Sequence, residues 1–452
     1  MNQNSSDYRS MMELRILLDT KVISATELLE ETLCNIEKTN PTINSFVLVA
    51  EDLAREQAKN TDSRLSSTGA KSPLDGIPLA VKDLYDTSGI TTAGGTLAYK
   101  NRIPEKDSEV VDLLQKSGMI MVGKTNTHEL AFGMTTNNPH YGPTRNPWNL
   151  DRVPGGSSGG SGAAVAAGQV PAALGTDTGG SVRGPAAFCG ITGHKPTYGL
   201  VSTKGIIPLS KTLDHAGPMA RSAFECALML ESMVNPISNR SFTNRINDSV
   251  EGMTLAVIPS LLKNCDPDVI NSFEDSLRTL SNIGINITEA EPMGKYQPIS
   301  IVRVEGATYI EDILRESSHL IGEEVRKALL EGLDDSVHDY VRSLEWRRRL
   351  EFAFEETLRI NQIDGYIAPT CSYIPELIGD ESENSGRKTR NTSVFNQSRQ
   401  PSISVPNGFD SSGTPTGLMI STKQDTDDLT FQIAHNFQKV TDFHSRRPKP
   451  LT

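Results

Sequence analysis

Ser24-Ala-Thr-Glu27 reads as a capping box, and it opens a helix with Leu28, Leu29, Leu33 and Ile36 on one face. That helix is expected to stop before Asn40-Pro41, because the residue ahead of a proline avoids helical dihedrals. Phe46 to Val49 is a short apolar strand, followed by a helix near 51–65. Gly76-Ile-Pro-Leu-Ala-Val-Lys82 reads as a buried strand that ends in a lysine. Residues 108–117 form a helix stopped by Gly118, and Met119-Ile-Met-Val122 a buried strand. From about 220 the pattern alternates helix and strand. Helices are expected at 222–233, 299–317, 322–331, 337–360 and 427–439, and another carries Val269, Ile270, Phe273, Leu277 and Leu280. Strands are expected at 253–258, 285–287 and 363–369. Residues 402–405 and 416–420 are read as strands paired across Asp410-Ser-Ser-Gly413. Residues 379–393 are polar and are expected to form a mobile excursion. The alternation, with no repeat or linker, predicts one α/β domain over 1–452, its mixed, mostly buried central sheet covered by helices on both faces.

Between these halves the pattern changes. Gly155 to Arg183 holds nine glycines around an Ala/Val-rich middle. A flexible Gly/Ser linker would not contain Ala-Ala-Val-Ala-Ala, which wants burial. Glycine clusters of this kind suit backbone that takes unusual dihedrals or comes close to a ligand. The polar segment 128–154 before it reads as a packed pocket loop.

Composition narrows the function. The 452 residues carry 44 basic and 56 acidic side chains, a net charge of −12, which disfavours a nucleic-acid or anionic-membrane surface. Five scattered cysteines with no paired spacing suit reduced thiols in a cytoplasm rather than a zinc site. The first residues have no signal-peptide pattern, and no run approaches the length of a membrane span.

Two motifs match in letters and fail in context. Gly118 to Thr125 fits G-x-x-x-x-G-K-T, but its middle is itself the strand and a helix precedes it. Gly156-Ser-Ser-Gly-Gly160 fits G-x-S-x-G without a strand running into it.

Another constellation fits better. Lys82 closes an apolar strand, where it either snorkels outward or is buried as a base with a lowered pKa. Serines 157, 158 and 181 sit in glycine-rich backbone, and a serine nucleophile needs such a base. Gly179-Gly180 before Ser181 would aim backbone amides at one point, as an oxyanion hole requires.

Gly155-Gly-Ser-Ser-Gly-Gly-Ser, Gly175-Thr-Asp-Thr-Gly-Gly-Ser-Val-Arg183, Cys189-Gly-Ile-Thr-Gly-His-Lys-Pro196, Ala80-Val-Lys-Asp83 and Ser404-Val-Pro-Asn-Gly408 together resemble the amidase signature family. The resemblance spans most of the chain, with its motif core at about 70–220 and its loosest part at 300–400. It implies a Ser-cisSer-Lys triad: Ser181 as nucleophile, Ser157 on a cis peptide as relay, and Lys82 as base. Ser158 would support them, and Thr178, Gly179 and Gly180 would supply the oxyanion-hole backbone. No metal or organic cofactor is implied. His194 departs from the family pattern and is read as packing variation.

The implied activity is hydrolysis of a small-molecule amide through an acyl-enzyme, releasing ammonia or an amine. The alternative is the glutamine-hydrolysing component of a tRNA-dependent amidotransferase, its A subunit, which the C-terminal Ala434 to His444 resembles. Arg349 and Asp425 would then grip the charged ends of glutamine, unless they are ordinary helix and loop charges. Against this, Glu305-Gly-Ala-Thr-Tyr lacks the pattern expected of that component. No direct nucleic-acid or membrane contact is implied, and the resemblance admits a homodimer. The pocket walls are expected from 128–148 and 300–400.

Overall fold

The computed structural model describes residues 8–235, 240–292, 300–380 and 387–450. The capping box forms as read: Ser24 Oγ accepts from the Glu27 amide at 3.1 Å, and the Glu27 carboxylate accepts from the Ser24 amide at 2.8 Å. The helix does not stop at Pro41, however, and runs from Ala25 to Ile43. Proline falls in its last turn, where it forfeits little, and Asn44 ends the helix in the left-handed region. A second capping box, Ser10 with Glu13, opens a helix over Met11–Asp19 that the sequence reading passed over.

Thirteen strands are found among the described residues: β1 (Phe46–Val49), β2 (Pro78–Lys82), β3 (Ile120–Thr125), β4 (Asn137–Asn138), β5 (Gly142–Pro143), β6 (Ala172–Asp177), β7 (Thr192–Lys195), β8 (His215–Ala220), β9 (Thr254–Val257), β10 (Asn286–Glu289), β11 (Gly365–Pro369), β12 (Ser402–Phe409) and β13 (Pro415–Thr422). Strands β4 and β5 pair only with each other. The other eleven make one sheet in the order β1-β3-β2-β6-β8-β7-β12-β13-β11-β9-β10. The sheet is mixed: β2 runs parallel to β3 and β6, and β9 to β10 and β11, while the remaining pairs are antiparallel. Every residue of β2, β3 and β6 is buried. Successive strand side chains point to opposite faces, so both faces of the sheet are covered there.

One rejected match stays rejected, and two expectations change. Gly123-Lys-Thr continues strand β3, so no phosphate-binding turn exists at that match. The helix expected over 299–317 divides at Ile310 into Ile301–Tyr309 and Glu311–Glu316; its first residue, 299, lies outside the described residues. Within the expected excursion at 379–393, residues 381–386 lie outside the described ones. Arg390 to Gln397 form a helix, and Asn391 to Gln397 are buried.

Candidate active site

The glycine-rich stretch folds into two turns joined by a helix and a strand. Residues 159–166 form a buried helix, and β6 leads into Thr178-Gly-Gly-Ser181. The Gly156–Ser157 peptide is cis. The Ser157 carbonyl accepts from Thr127 Oγ1 at 3.0 Å, the His128 amide at 3.1 Å and Thr136 Oγ1 at 3.2 Å. A Cβ on Gly156 would lie 2.5 Å from the Thr135 amide nitrogen, so only glycine lets the turn pack there.

Lys82 ends β2 and is fully buried. Its Nζ lies 2.7 Å from Ser157 Oγ, 2.9 Å from Ser158 Oγ and 2.8 Å from Thr176 Oγ1. Burial lowers its pKa to about 7, against the opposing pull of the Asp177 and Asp214 charges. A neutral amine has two hydrogens and one lone pair, so three partners require one hydroxyl to donate to it. Ser158 Oγ donates to the Thr176 carbonyl at 3.2 Å, which leaves its lone pairs for Lys82. Ser157 and Thr176 are the two hydroxyls left that can point a proton at Nζ.

Ser181 sits against the same turn, its carbonyl accepting from the Ser158 amide at 3.3 Å. Its Oγ faces Met134 Sδ at 3.7 Å, and no hydrogen bond joins it to Ser157. A single χ1 rotation of Ser181 moves this hydroxyl.

Asp177 organises the turn that carries Ser181. Its carboxylate accepts from the amides of Gly180 (2.8 Å), Val182 (3.1 Å) and Arg183 (3.4 Å). It also pairs with the Arg183 guanidinium at 3.0 Å, both groups fully buried, and accepts from Asn396 Nδ2 at 2.8 Å. Although burial opposes ionisation, these partners hold the carboxyl well below its usual range. One expectation is corrected here: the Gly180 amide is already bound to Asp177 and is not free for an oxyanion. Among the described residues the amides of Thr178, Gly179 and Ser181 have no hydrogen-bond partner, so all three remain as donors. Gly180 instead serves by its shape. Its φ is +134°, and a Cβ there would lie 2.2 Å from Thr392 Oγ1.

Ser181, Thr178 and Gly179 open onto a cavity of about 600 Å³. Its walls come from 128–137, Leu209, Leu213, Val302, Glu324 and 388–397, so both expected wall regions contribute. The His128 imidazole lines it, with burial lowering its pKa to about 4 and Nδ1 3.2 Å from Thr135 Oγ1.

Arg349 and Asp425 do not line this cavity. Arg349 is exposed on the helix Val337–Asn361, while Asp425 is 66 % exposed and pairs with Arg240 at 3.3 Å. They are surface charges because helical phase and the turn before the last helix carry them outward. Their neighbour Arg347 is buried instead, donating to the Gln397 carbonyl at 3.3 Å and to Glu351 at 2.8 Å. His194 is more than packing: Nε2 lies 2.9 Å from Asp427 Oδ1, both buried, and the ring contacts Phe431.

Thr176 was not singled out in the sequence, and His128, Met134 and Asn396 fall within the expected wall regions without being named there. Thr176 lay inside the quoted motif, but nothing in the sequence tells which of its hydroxyls faces Lys82.

Among the described residues no cluster of His, Cys, Asp and Glu has the makings of a metal site, and no helix is long and apolar enough to cross a membrane. The family model described as Amidase matches residues 27–431. Curated relatives include the A subunit of a glutamyl-tRNA(Gln) amidotransferase from Carboxydothermus hydrogenoformans, 32% identical over 98% of this chain and 99% of that protein. Among solved structures, a 6-aminohexanoate cyclic dimer hydrolase in complex with its substrate has a TM-score of 0.88 at 27% identity, covering 99% of this chain and 100% of that one. The A subunit of a glutamyl-tRNA(Gln) amidotransferase from Thermotoga maritima has a TM-score of 0.81 at 29% identity, covering 98% and 96%. The chain therefore belongs to the amidase signature family and is an enzyme that cleaves amide carbon–nitrogen bonds.

Proposed function

We propose that this chain hydrolyses a small-molecule amide with Ser181 as nucleophile, Ser157 as proton relay and Lys82 as base. The observation that carries the reading is the buried Lys82 amine 2.7 Å from Ser157 Oγ, beside the cavity that Ser181 lines. Neutral Lys82 takes the Ser157 proton as Ser157 takes that of Ser181. The freed Oγ attacks the carbonyl carbon, and the oxyanion rests on the unengaged amides of Thr178, Gly179 and Ser181. Ser157 returns the proton to the departing nitrogen as the carbon–nitrogen bond breaks. Water then attacks the acyl ester by the same relay and releases the acid. Ser158 fixes Lys82, and Asp177 with Arg183 holds the donor turn. Five unpaired cysteines support a cytoplasmic setting.

A second reading is favoured by the curated relatives. Their name describes one component of a tRNA-dependent amidotransferase, and by that measure this chain would hydrolyse glutamine for a partner. The comparisons lean further toward this reading than the sequence motifs do. The cavity leans the other way, since the two residues nominated to grip glutamine lie outside it.

The test is mass-spectrometric mapping of fluorophosphonate labelling, with ammonia release measured on neutral amides and on glutamine. Labelling at Ser181 is expected, with Ser181→Ala losing both label and activity. Labelling at another serine refutes the assignment. Ammonia from glutamine but from no neutral amide selects the second reading.

A further inference from the structure

The helix Arg390–Gln397 turns two polar side chains toward the cavity, one turn apart. Ser393 and Gln397 both line it and are 8% and 2% exposed. Ser393 Oγ and Gln397 Oε1 are buried with no hydrogen-bond partner among the described residues. Such groups are costly to leave unmet, and native interiors seldom keep them without a use. The rest of the helix is fully engaged: Asn391 Nδ2 donates to the Pro369 carbonyl, Thr392 Oγ1 to the Gly179 carbonyl, and Asn396 Nδ2 to Asp177. Among the described residues, the spare capacity of this helix lies at Ser393 and Gln397. The terminal torsion of glutamine is broad, so either end of the Gln397 amide can reach a ligand.

Of the charged groups at the cavity, one is paired and another stands at the rim. Lys388 pairs with Glu376 at 3.4 Å, Glu324 lies exposed at the rim, and the buried His128 ring is neutral near pH 7. Phe132, Met134, Leu209, Leu213 and Val302 supply apolar wall.

We propose that Ser393 and Gln397 recognise a second, uncharged amide on the acyl portion of the substrate, so that the substrate class is a neutral diamide. A carboxamide facing Gln397 gives and takes one hydrogen bond with it, and Ser393 adds a third. This rests on the hydrolase reading above and names the substrate that reading leaves open.

The test compares succinamide with 4-methylpentanamide, in which methyl groups replace the distal oxygen and nitrogen, and with glutamine. For the wild type, kcat/KM for succinamide is expected to exceed that for 4-methylpentanamide by tenfold or more, because a site built to hydrogen-bond rejects an analogue that leaves it unpaired. Gln397→Leu is expected to remove that preference through KM, with kcat within about threefold and Tm unchanged or raised, since no protein partner of its side chain is lost. Ser393→Ala is expected to remove part of it. Equal rates on succinamide and its analogue, a preference for glutamine, or a Gln397→Leu variant that loses Tm and slows both substrates alike would overturn the proposal. Failure of the hydrolase reading is distinguishable: no amide is then cleaved and Ser181 takes no fluorophosphonate label, and this inference falls with it.

Discussion

At the scale of single residues, the proposed chemistry turns on one lysine being neutral. Lys82 is held near pH 7 against about 10.4 for a free lysine. A protonated amine cannot accept from Ser157, so kcat/KM is expected to fall about tenfold per unit as pH drops below about 7. A pH–rate profile without an acid limb in that region would exclude Lys82 as the base. The same shift has a stability sign. Between about pH 7 and 10.4 the unfolded chain binds the proton that the native state has released, so the contribution of Lys82 to stability rises with pH across that window and is least favourable below it. The candidate triad was legible in the sequence, because the motif names its three positions. The spent amide of Gly180 was not, because it depends on where the Asp177 carboxylate points.

At the scale of elements, the Ser181 turn is braced by the helix Arg390–Gln397, more than 200 residues later in the chain. Arg183 spans the gap: it pairs with Asp177 and donates to the Thr392 carbonyl at 3.0 Å and to Asn396 Oδ1 at 2.7 Å. Asp177→Asn is expected to cost about 3–5 kcal/mol, because it strands a fully buried guanidinium. The readout is a lower urea midpoint at unchanged slope, together with lost activity. A shift equivalent to less than about 1 kcal/mol would show that the pair is not the brace. Polar composition suggested an excursion at this helix because Asn, Thr, Ser and Gln usually mark exposed chain. Here they are buried by contacts with the Ser181 turn, which no local pattern encodes. Strand β6 escaped the sequence reading for a related reason: Ala172-Ala-Leu-Gly-Thr-Asp has little β-branched character, and burial between neighbours makes it a strand.

At the scale of the whole molecule, the five cysteines report on how the fold opens. None is bonded; Cys34 is exposed, whereas Cys189, Cys226 and Cys371 are buried and their thiols are pushed up by desolvation. Iodoacetamide at pH 8 is expected to alkylate Cys34 in the native protein and the three buried thiols at least about 10³-fold more slowly, through global opening. Fast native labelling of Cys189, beside the glycine-rich turns, would mean that this part of the core opens by itself. The sequence alone determined the α/β class, the family and the capped helix that opens at Ser24, and it named the proposed triad positions, because helical periodicity and glycine-rich turns are local and carry their reasons in neighbouring residues. Only the tertiary structure decided which hydroxyls meet Lys82, which amides remain for an oxyanion, and that Arg349 and Asp425 stand outside while Ser393 and Gln397 stand at the cavity. Those outcomes depend on side chains brought together across a sheet of eleven strands, and their separation in sequence carries no trace of the distance between them.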